Sequence, residues 1–250
     1  MRNVFFNKNN IIKKNPIYVF KFKPSYNSII PLKIFQTWST KILPPKMKQN
    51  VENLRKKHPR FQYFLFDDDD CRNFIKNNFK HDVLYAYDNL IPGAYKADLW
   101  RYCVLYIYGG VYLDIKFNTV NGFRFIALTE KEHFALDVPL EDYCNVYNGV
   151  MVSKPKNPKL LQSIDAIIHN VKHKYYGNTP LDPTGPGLFG NFFSIEEKRK
   201  MIVKRYIGKQ GDGASINNIL IFNEYKDYRN EQRNNGPHYT ELWNNKQVYK

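Results

Sequence analysis

Residues 95–116 read YKADLWRYCVLYIYGGVYLDIK, and the order of local signals in this run decides the kind of fold. Up to Tyr108 there is no glycine or proline to break the run, which reads as a helix. Gly109-Gly110 ends it, because glycine takes the left-handed conformation that follows a helix without steric cost. Val111–Phe117 then reads as an apolar strand that turns polar at Asp114 and Lys116. On the helix, Asp98 and Arg101 are spaced i, i+3 and share a face with Ala94 and Leu105. A carboxylate and a guanidinium beside core residues must pair or meet a ligand, since an isolated buried charge is costly. Two readings stand: a structural ion pair, or a clamp for ligand hydroxyls in which Asp98 accepts and Arg101 donates.

Working outward, Ile29–Trp38 reads as a buried strand, and Pro44-Pro45 opens a helix through about Lys57. Phe61–Phe66 alternates like a strand, and Asp67–Asp70 place N-cap carboxylates before a helix from about Cys71 to Phe79. Tyr85–Tyr108 is helical, interrupted at Pro92-Gly93. Strand, helix, strand, helix, helix, strand predicts an α/β fold with a largely parallel central sheet flanked by helices. Ligands of such sheets bind outside the carboxyl ends of the strands, where Trp38, Asp67–Asp70 and Asp114–Lys116 fall. Beyond residue 120 the pattern weakens: Asn145–Ser153 reads as a strand, Pro158–Lys172 as a helix and Pro180–Gly190 as an ordered loop. The first 28 residues form a lead-in, with Val4–Phe6 and Ile17–Phe22 as candidate short strands. No internal repeat or domain boundary is evident, so residues 1–250 are expected to form one domain.

Nineteen tyrosines and 18 phenylalanines in a chain that is 43% hydrophobic exclude a disordered protein. The net charge of +15 admits a polyanion partner. Its basic residues are scattered over Lys13–Lys14, Lys46–Lys48, Arg55–Lys57 and Lys198–Arg205 without a nucleic-acid-binding motif, which favours a lysine-rich surface and predicts no specific nucleic acid. Cys71, Cys103 and Cys144 have no metal-ligand spacing and point to a reducing compartment. With no long apolar run and no signal-type leader, the expectation is a soluble, cytoplasmic, non-secreted protein without a transmembrane segment. Its Asn, Lys, Ile and Tyr richness fits an AT-rich genome, such as that of a large DNA virus, whose protein would act in the infected host cell, or of a protist.

The central run resembles the "ADxxRYxxLYxxGGxYxDxD" core of the DXD-sugar-binding glycosyltransferase family, whose members include the fungal initiating α-1,6-mannosyltransferase and capsular-polysaccharide-type transferases; the large clostridial glucosylating toxins are more distantly similar. The likeness continues in IPLKIFQTW (residues 30–38), FQYFLFDDDD (61–70), YNGVMVSKPKNP (147–158), TGPG (184–187) and HYTELW (238–243). It implies a GT-A-type, Rossmann-like nucleotide-binding fold and retaining transfer of a hexose from a UDP- or GDP-sugar to a glycan or glycoprotein acceptor. It also implies a nucleotide-sugar half at about 29–120 and an acceptor half at about 121–250.

By the same resemblance, Gln36 and Trp38 lie at the donor base, where Trp38 either stacks on the ring or belongs to the core. Asp98 and Arg101 hold the donor sugar, and Asp114 is the first Asp of DXD, touching sugar or ribose and supporting a metal. Asn148 falls on the acceptor side, while Thr184, Gly185 and His238 line the diphosphate or its metal. Phe35 stands where the family often has His. More consequentially, Lys116 stands where the second Asp of DXD would bind Mn²⁺ or Mg²⁺, and an ammonium supplies no oxygen to a hard cation. Either another carboxylate or His238 completes the metal site, or Lys116, assisted by Arg205 or Lys209, takes over part of the metal's role. Double displacement through Asp98 or Asp137 stays open beside retention without an enzymatic nucleophile. A catalytically impaired sugar- or polyanion-binding protein is the alternative, and a nucleotide-sugar pyrophosphorylase ranks last for want of a glycine-rich N-terminal loop.

Overall fold

The structure, a computed structural model, describes residues 23–137, 145–208, 211–233 and 236–250. The candidate strands at Val4–Phe6 and Ile17–Phe22 lie outside them, as do Cys144 and Lys209. In chain order the elements are β1 (Lys33–Thr37), α1 (Pro45–Lys57), β2 (Gln62–Phe66), α2 (Asp68–Asn78), α3 (His81–Asn89), α4 (Gly93–Tyr108), β3 (Gly110–Leu113), β4 (Phe117–Thr119), β5 (His133–Leu136) and β6 (Val146–Ser153). There follow α5 (Pro158–Lys172), α6 (Pro186–Gly190), α7 (Ile195–Arg199), β7 (Val203–Gly208), β8 (Gly211–Ile216), β9 (Ile219–Glu224), α8 (Tyr228–Gln232) and α9 (Tyr239–Asn244).

Among the described residues the strands form one sheet in the order β2-β1-β3-β6-β5-β7-β8-β9-β4. The α/β class expected from the sequence is found, but parallel pairing is confined to β2-β1-β3 and the β5-β7 contact; the other neighbours are antiparallel. The sheet is therefore mixed, because the hairpins β7-β8 and β8-β9 follow short turns and no helical crossover intervenes.

α4 is the interior helix. Every residue from 98 to 105 is buried, so its sequence reads apolar on all sides and not as an amphipathic stripe. Ala94, expected on the buried face, lies in the first turn and is exposed. Gly109 and Gly110 have φ of +60° and +107°, and a Cβ at Gly109 would come within 2.7 Å of Pro155, so both positions require glycine. β3 then runs down the middle of the sheet between β1 and β6. Its Tyr112 packs into the core cluster shared with α4, while Val111 and Leu113 face the opposite cluster, as strand alternation dictates.

The predicted strand Val111–Phe117 is broken. It leaves the sheet after Leu113, turns through a hydrogen bond from the Phe117 N–H to the Asp114 carbonyl (3.0 Å), and resumes as β4 beside β9. The turn swings Asp114 and Lys116 out of the sheet while Ile115 is buried beside Met47 and Val51. At the start of α2, Asp67 and Asp70 form a capping box; these aspartates are spent on the helix end. α1 has no side-chain cap of its own. Glu231, from α8, accepts its first free N–H groups instead, from Lys46 and Met47 at 2.9 Å each, and is held by the Tyr225 hydroxyl at 2.7 Å. No helix among the described residues is long and apolar enough to cross a membrane.

Two histidines make the fold sensitive to acid. His58 is buried, with Nδ1 accepting the Phe125 N–H at 3.4 Å and Nε2 against Thr119 Oγ1 at 3.3 Å. Burial, then Lys57 and Arg124, push its pKa down to about 4; burial and Lys131 push His133 to about 4 as well. The unfolded chain takes up these protons near pH 6.5 and the folded chain does not until near 4. Stability is therefore full above about pH 6.5 and falls through the window down to about 4, by up to about 3 kcal/mol per histidine. Urea midpoints measured from pH 7.5 to 4.5 should drop accordingly; a flat profile would overturn this assignment.

Candidate active site

The carboxyl ends of β1 and β3 and the interior of α4 meet in a line of charges. Asp98 is buried, and burial is the main force raising its pKa against the pull of Arg101, Thr184 and Asn148. Its Oδ1 accepts from Asn148 Nδ2 at 2.9 Å and faces Arg101 Nη2 at 3.2 Å. Its Oδ2 accepts from the Thr184 hydroxyl at 2.7 Å. A carboxylate has about four acceptor positions, so Oδ2 keeps one. A Cβ at Gly185 would lie 3.3 Å from that oxygen and 3.3 Å from the Leu181 carbonyl, so any side chain there would crowd it.

Arg101 donates to the Asn148 carbonyl at 2.8 Å, reaches Asp114 Oδ1 at 3.6 Å and lies 4.4 Å over the Tyr112 ring. Tyr112 also donates to Asp114 Oδ1 at 2.9 Å. The line continues from Asp114 Oδ2 to Lys116 Nζ (3.3 Å), and from Lys116 to Asp212 Oδ2 (2.8 Å). Arg205 grips both oxygens of Asp212, at 3.0 and 3.2 Å, and ends on Asp137 at 3.0 Å. Signs alternate from Asp98 to Asp137 with a carboxylate at each end. Burial works against the charge on Lys116, but Tyr147, Asp114 and Asp212 outweigh it and hold the ammonium well above the ordinary lysine range.

β6 is shaped to receive this line. Its register against β5 shifts between Phe134 and Ala135, whose partners are Met151 and Tyr147, so residues 148–150 have no β5 partner. The freed Asn148 carbonyl turns to Arg101, and the Gly149 carbonyl accepts the Asp114 N–H at 2.8 Å. Tyr147 donates to Asp114 Oδ2 at 3.4 Å or Asp212 Oδ2 at 3.2 Å.

The structure thus brings Asp98, Arg101, Asp114, Lys116, Asn148, Thr184 and Gly185 together. Gln36 stands beneath them and not in the open: it is fully buried, donating to the Leu113 and Asp114 carbonyls at 3.2 Å each and accepting from Tyr63 at 2.9 Å. Its amide holds the start of the turn that presents Asp114. Trp38 sits half-buried at the end of β1 in the cluster around Ile115, with the rest of its surface outward. His238 caps α9, its Nδ1 accepting the Thr240 N–H at 3.3 Å, and among the described residues no three His, Cys, Asp or Glu side chains assemble into a metal site. Asp98 and Asp137, the candidate nucleophiles, are both tied up in the ion-pair line. The sequence pattern missed Tyr147, Arg205 as a partner of Asp212, and Asp212 itself; the one local signal was an aspartate between two glycines, Gly211 and Gly213, a poor strand composition that marks a special position.

A carboxylate and an arginine from α4 thus meet Asp114 at the carboxyl end of β3 in a mixed α/β frame of the glycosyltransferase type. Residues 44–134 match the family model described as "Glycosyltransferase sugar-binding region containing DXD motif", and over that region the chain is similar to the DXD glycosyltransferases. An uncharacterized glycosyltransferase of Acanthamoeba polyphaga mimivirus is 34% identical over 140 residues, 52% of either chain. A mannosyl phosphorylinositol ceramide synthase of Saccharomyces cerevisiae is 30% identical over 189 residues, 72% of this chain and 46% of the relative. The chain spans about half the length of these curated relatives. The PaToxG glycosyltransferase structure shares the fold, with a TM-score of 0.50 at 18% identity over 65% of this chain and 68% of its own.

Proposed function

We propose that this protein transfers a hexose from a UDP- or GDP-sugar to a glycan, glycoprotein or glycolipid acceptor with retention of configuration. The observation that carries this is the Asp98 carboxylate, fixed by Thr184 and Asn148, with one acceptor position on Oδ2 left over by these bonds and only a glycine, Gly185, beside it. A buried, pre-oriented carboxylate of this kind suits a sugar hydroxyl, and the Arg101 guanidinium beside it supplies donors. The mannosyltransferase names of several relatives favour mannose as the sugar, and a lipid-linked acceptor among the acceptor classes.

In the proposed reaction the bond from the sugar's anomeric carbon to the diphosphate breaks. The acceptor oxygen bonds to that carbon on the same face, and its proton passes to the departing phosphate oxygen. Asp98 and Arg101 orient the sugar, Asp114 faces the ribose or sugar, and Trp38 offers a ring to the base. Asp98 already accepts two protein hydrogen bonds and pairs with Arg101, which supports this course over double displacement through it. The family commonly uses Mn²⁺ or Mg²⁺, but the oxygens of Asp114 and Asp212 close on the Lys116 ammonium. With the ammonium held there, the site has no room for a dication between them. The two buried free thiols, Cys71 and Cys103, suit a reducing, cytoplasmic setting.

A thermal-shift panel of UDP- and GDP-sugars tests the reading. A donor at 100 times its Kd stabilises by about 2.7 kcal/mol, which raises Tm by about 5–11 °C in a chain of this size. Asp98→Asn keeps the shape but loses the charge, and should cut transfer and donor hydrolysis by about ten- to a hundredfold. No response to any nucleotide sugar, or wild-type transfer by Asp98→Asn, would sink the proposal. Binding without turnover in the wild type would instead favour a sugar-binding protein on the same fold.

A further inference from the structure

Asp114 Oδ2, Asp212 Oδ2 and the Tyr147 hydroxyl converge on one point, with Tyr147 within 3.4 and 3.2 Å of the two carboxylates. Oxygens gathered in this way are what a hard divalent cation requires. At the point itself lies the Lys116 ammonium, at ion-pair distances of 3.3 and 2.8 Å. Its Nζ lies 4.9 Å over the Phe117 ring, and its side chain is only 15% exposed, so the charge is fixed in place and does not wander as a surface lysine's would. Asp212 comes from a strand remote in sequence, and Arg205 grips both of its oxygens. That fork shares the Asp212 charge, and with two carboxylates on the ammonium one of its three N–H donors is left for a third group.

We propose that the Lys116 ammonium is a built-in replacement for the divalent cation, so that this chain binds the diphosphate of its donor without a metal. The inference rests on the nucleotide-sugar reading above. Asp212 is the positioning residue of the arrangement, since it holds Lys116 from the side opposite Asp114. A lysine delivers one charge where a dication delivers two, so its affinity for diphosphate is weaker per contact but owes nothing to metal supply. The Lys116→Asp substitution places a third carboxylate between Asp114 and Asp212, which converts the same point into a cation site.

Two titrations on the full chain decide the matter. In the first, Mn²⁺ alone is followed by the loss of its free electron-spin-resonance signal. The wild type should show no site tighter than about 1 mM, and Lys116→Asp should bind at least about tenfold more tightly. In the second, UDP and GDP are titrated calorimetrically in EDTA and again in Mn²⁺. Wild-type affinity should change by less than about threefold between the two conditions, and Lys116→Ala, shown folded by near-ultraviolet circular dichroism, should bind at least about tenfold more weakly in EDTA. The proposal is overturned if the wild type takes up Mn²⁺ as tightly as Lys116→Asp, if nucleotide binds only with Mn²⁺, or if Lys116→Ala binds as the wild type does. Binding of neither nucleotide in either condition would overturn the donor reading and the diphosphate role together. The Mn²⁺ titration would then still tell whether the lysine fills the cation point.

Discussion

Arg101→Ala should lose about 3–5 kcal/mol of folding stability, the usual cost of removing one partner from a buried ion pair. For a chain of this length that lowers Tm by about 6–20 °C. The guanidinium lies between Asp98 and Asp114, donates to the carbonyls of Ala97 and Asn148, and covers the Tyr112 ring. Alanine leaves two carboxylates facing a void, one of them in a site whose burial already raises its pKa. Arg101→Lys keeps a charge but has no planar fork, and should fall between the two. Thermal denaturation followed by circular dichroism measures both variants. An Arg101→Ala midpoint within about 2 °C of wild type would show that the pair contributes almost nothing to the fold. The clamp and the ion pair, alternatives at the level of sequence, are one structure here: the residues that would hold the sugar also hold α4 to β3 and β6.

Gly149→Ala should damage binding more than its single methyl suggests. A Cβ at that position would overlap the Tyr147 ring end and lie 2.8 Å from Asp114 Oδ2, closer than real Cβ contacts come. Overpacking of this kind costs about 1–3 kcal/mol, and the least constrained way to relieve it is to push Tyr147 and Asp114 out of line. Nucleotide-sugar affinity should fall by at least about tenfold, equivalent to about 1.4 kcal/mol, while the variant still folds. Calorimetric titration of folded Gly149→Ala checks this; wild-type affinity would mean that Asp114 does not depend on the space glycine leaves.

The first half of the fold was legible because its signals are local. Pro44-Pro45, the Asp67 cap and Gly109-Gly110 each act within a few residues, and each falls at an element boundary. β7, β8 and β9 were not legible. β7 carries Lys204, Arg205 and Tyr206 in succession, and β8 opens with Gly-Asp-Gly, so neither shows clean alternation or strand propensity; their order comes from pairing with each other. The same division runs through the site. Asp98, Arg101 and Asp114 lie on a single recognisable run, whereas Asp212 earns its role only through a contact with Lys116 that spans 96 positions. Lys116 itself was visible as a departure, but which carboxylates surround it was not. The break of the strand after Leu113 was hidden for a related reason: Asp114 and Lys116 are poor strand residues, but the turn from Asp114 to Phe117 is set by the pairing of Phe117–Thr119 with β9, far along the chain.

Glu231 sets the order in which the molecule can be completed. The helix that opens at Pro45 receives the carboxylate for its exposed N–H groups from a residue made 185 positions later. During synthesis that helix therefore emerges with its first turn unanswered, and Lys116 emerges without Asp212. Loop closures of this span form late and slowly. A ribosome stalled anywhere before Glu231 would hold a nascent chain with its central strands in hand and its charged line unfinished. The later-made α8 is thus the element that locks the earlier-made α1 beside the strand end carrying Asp114.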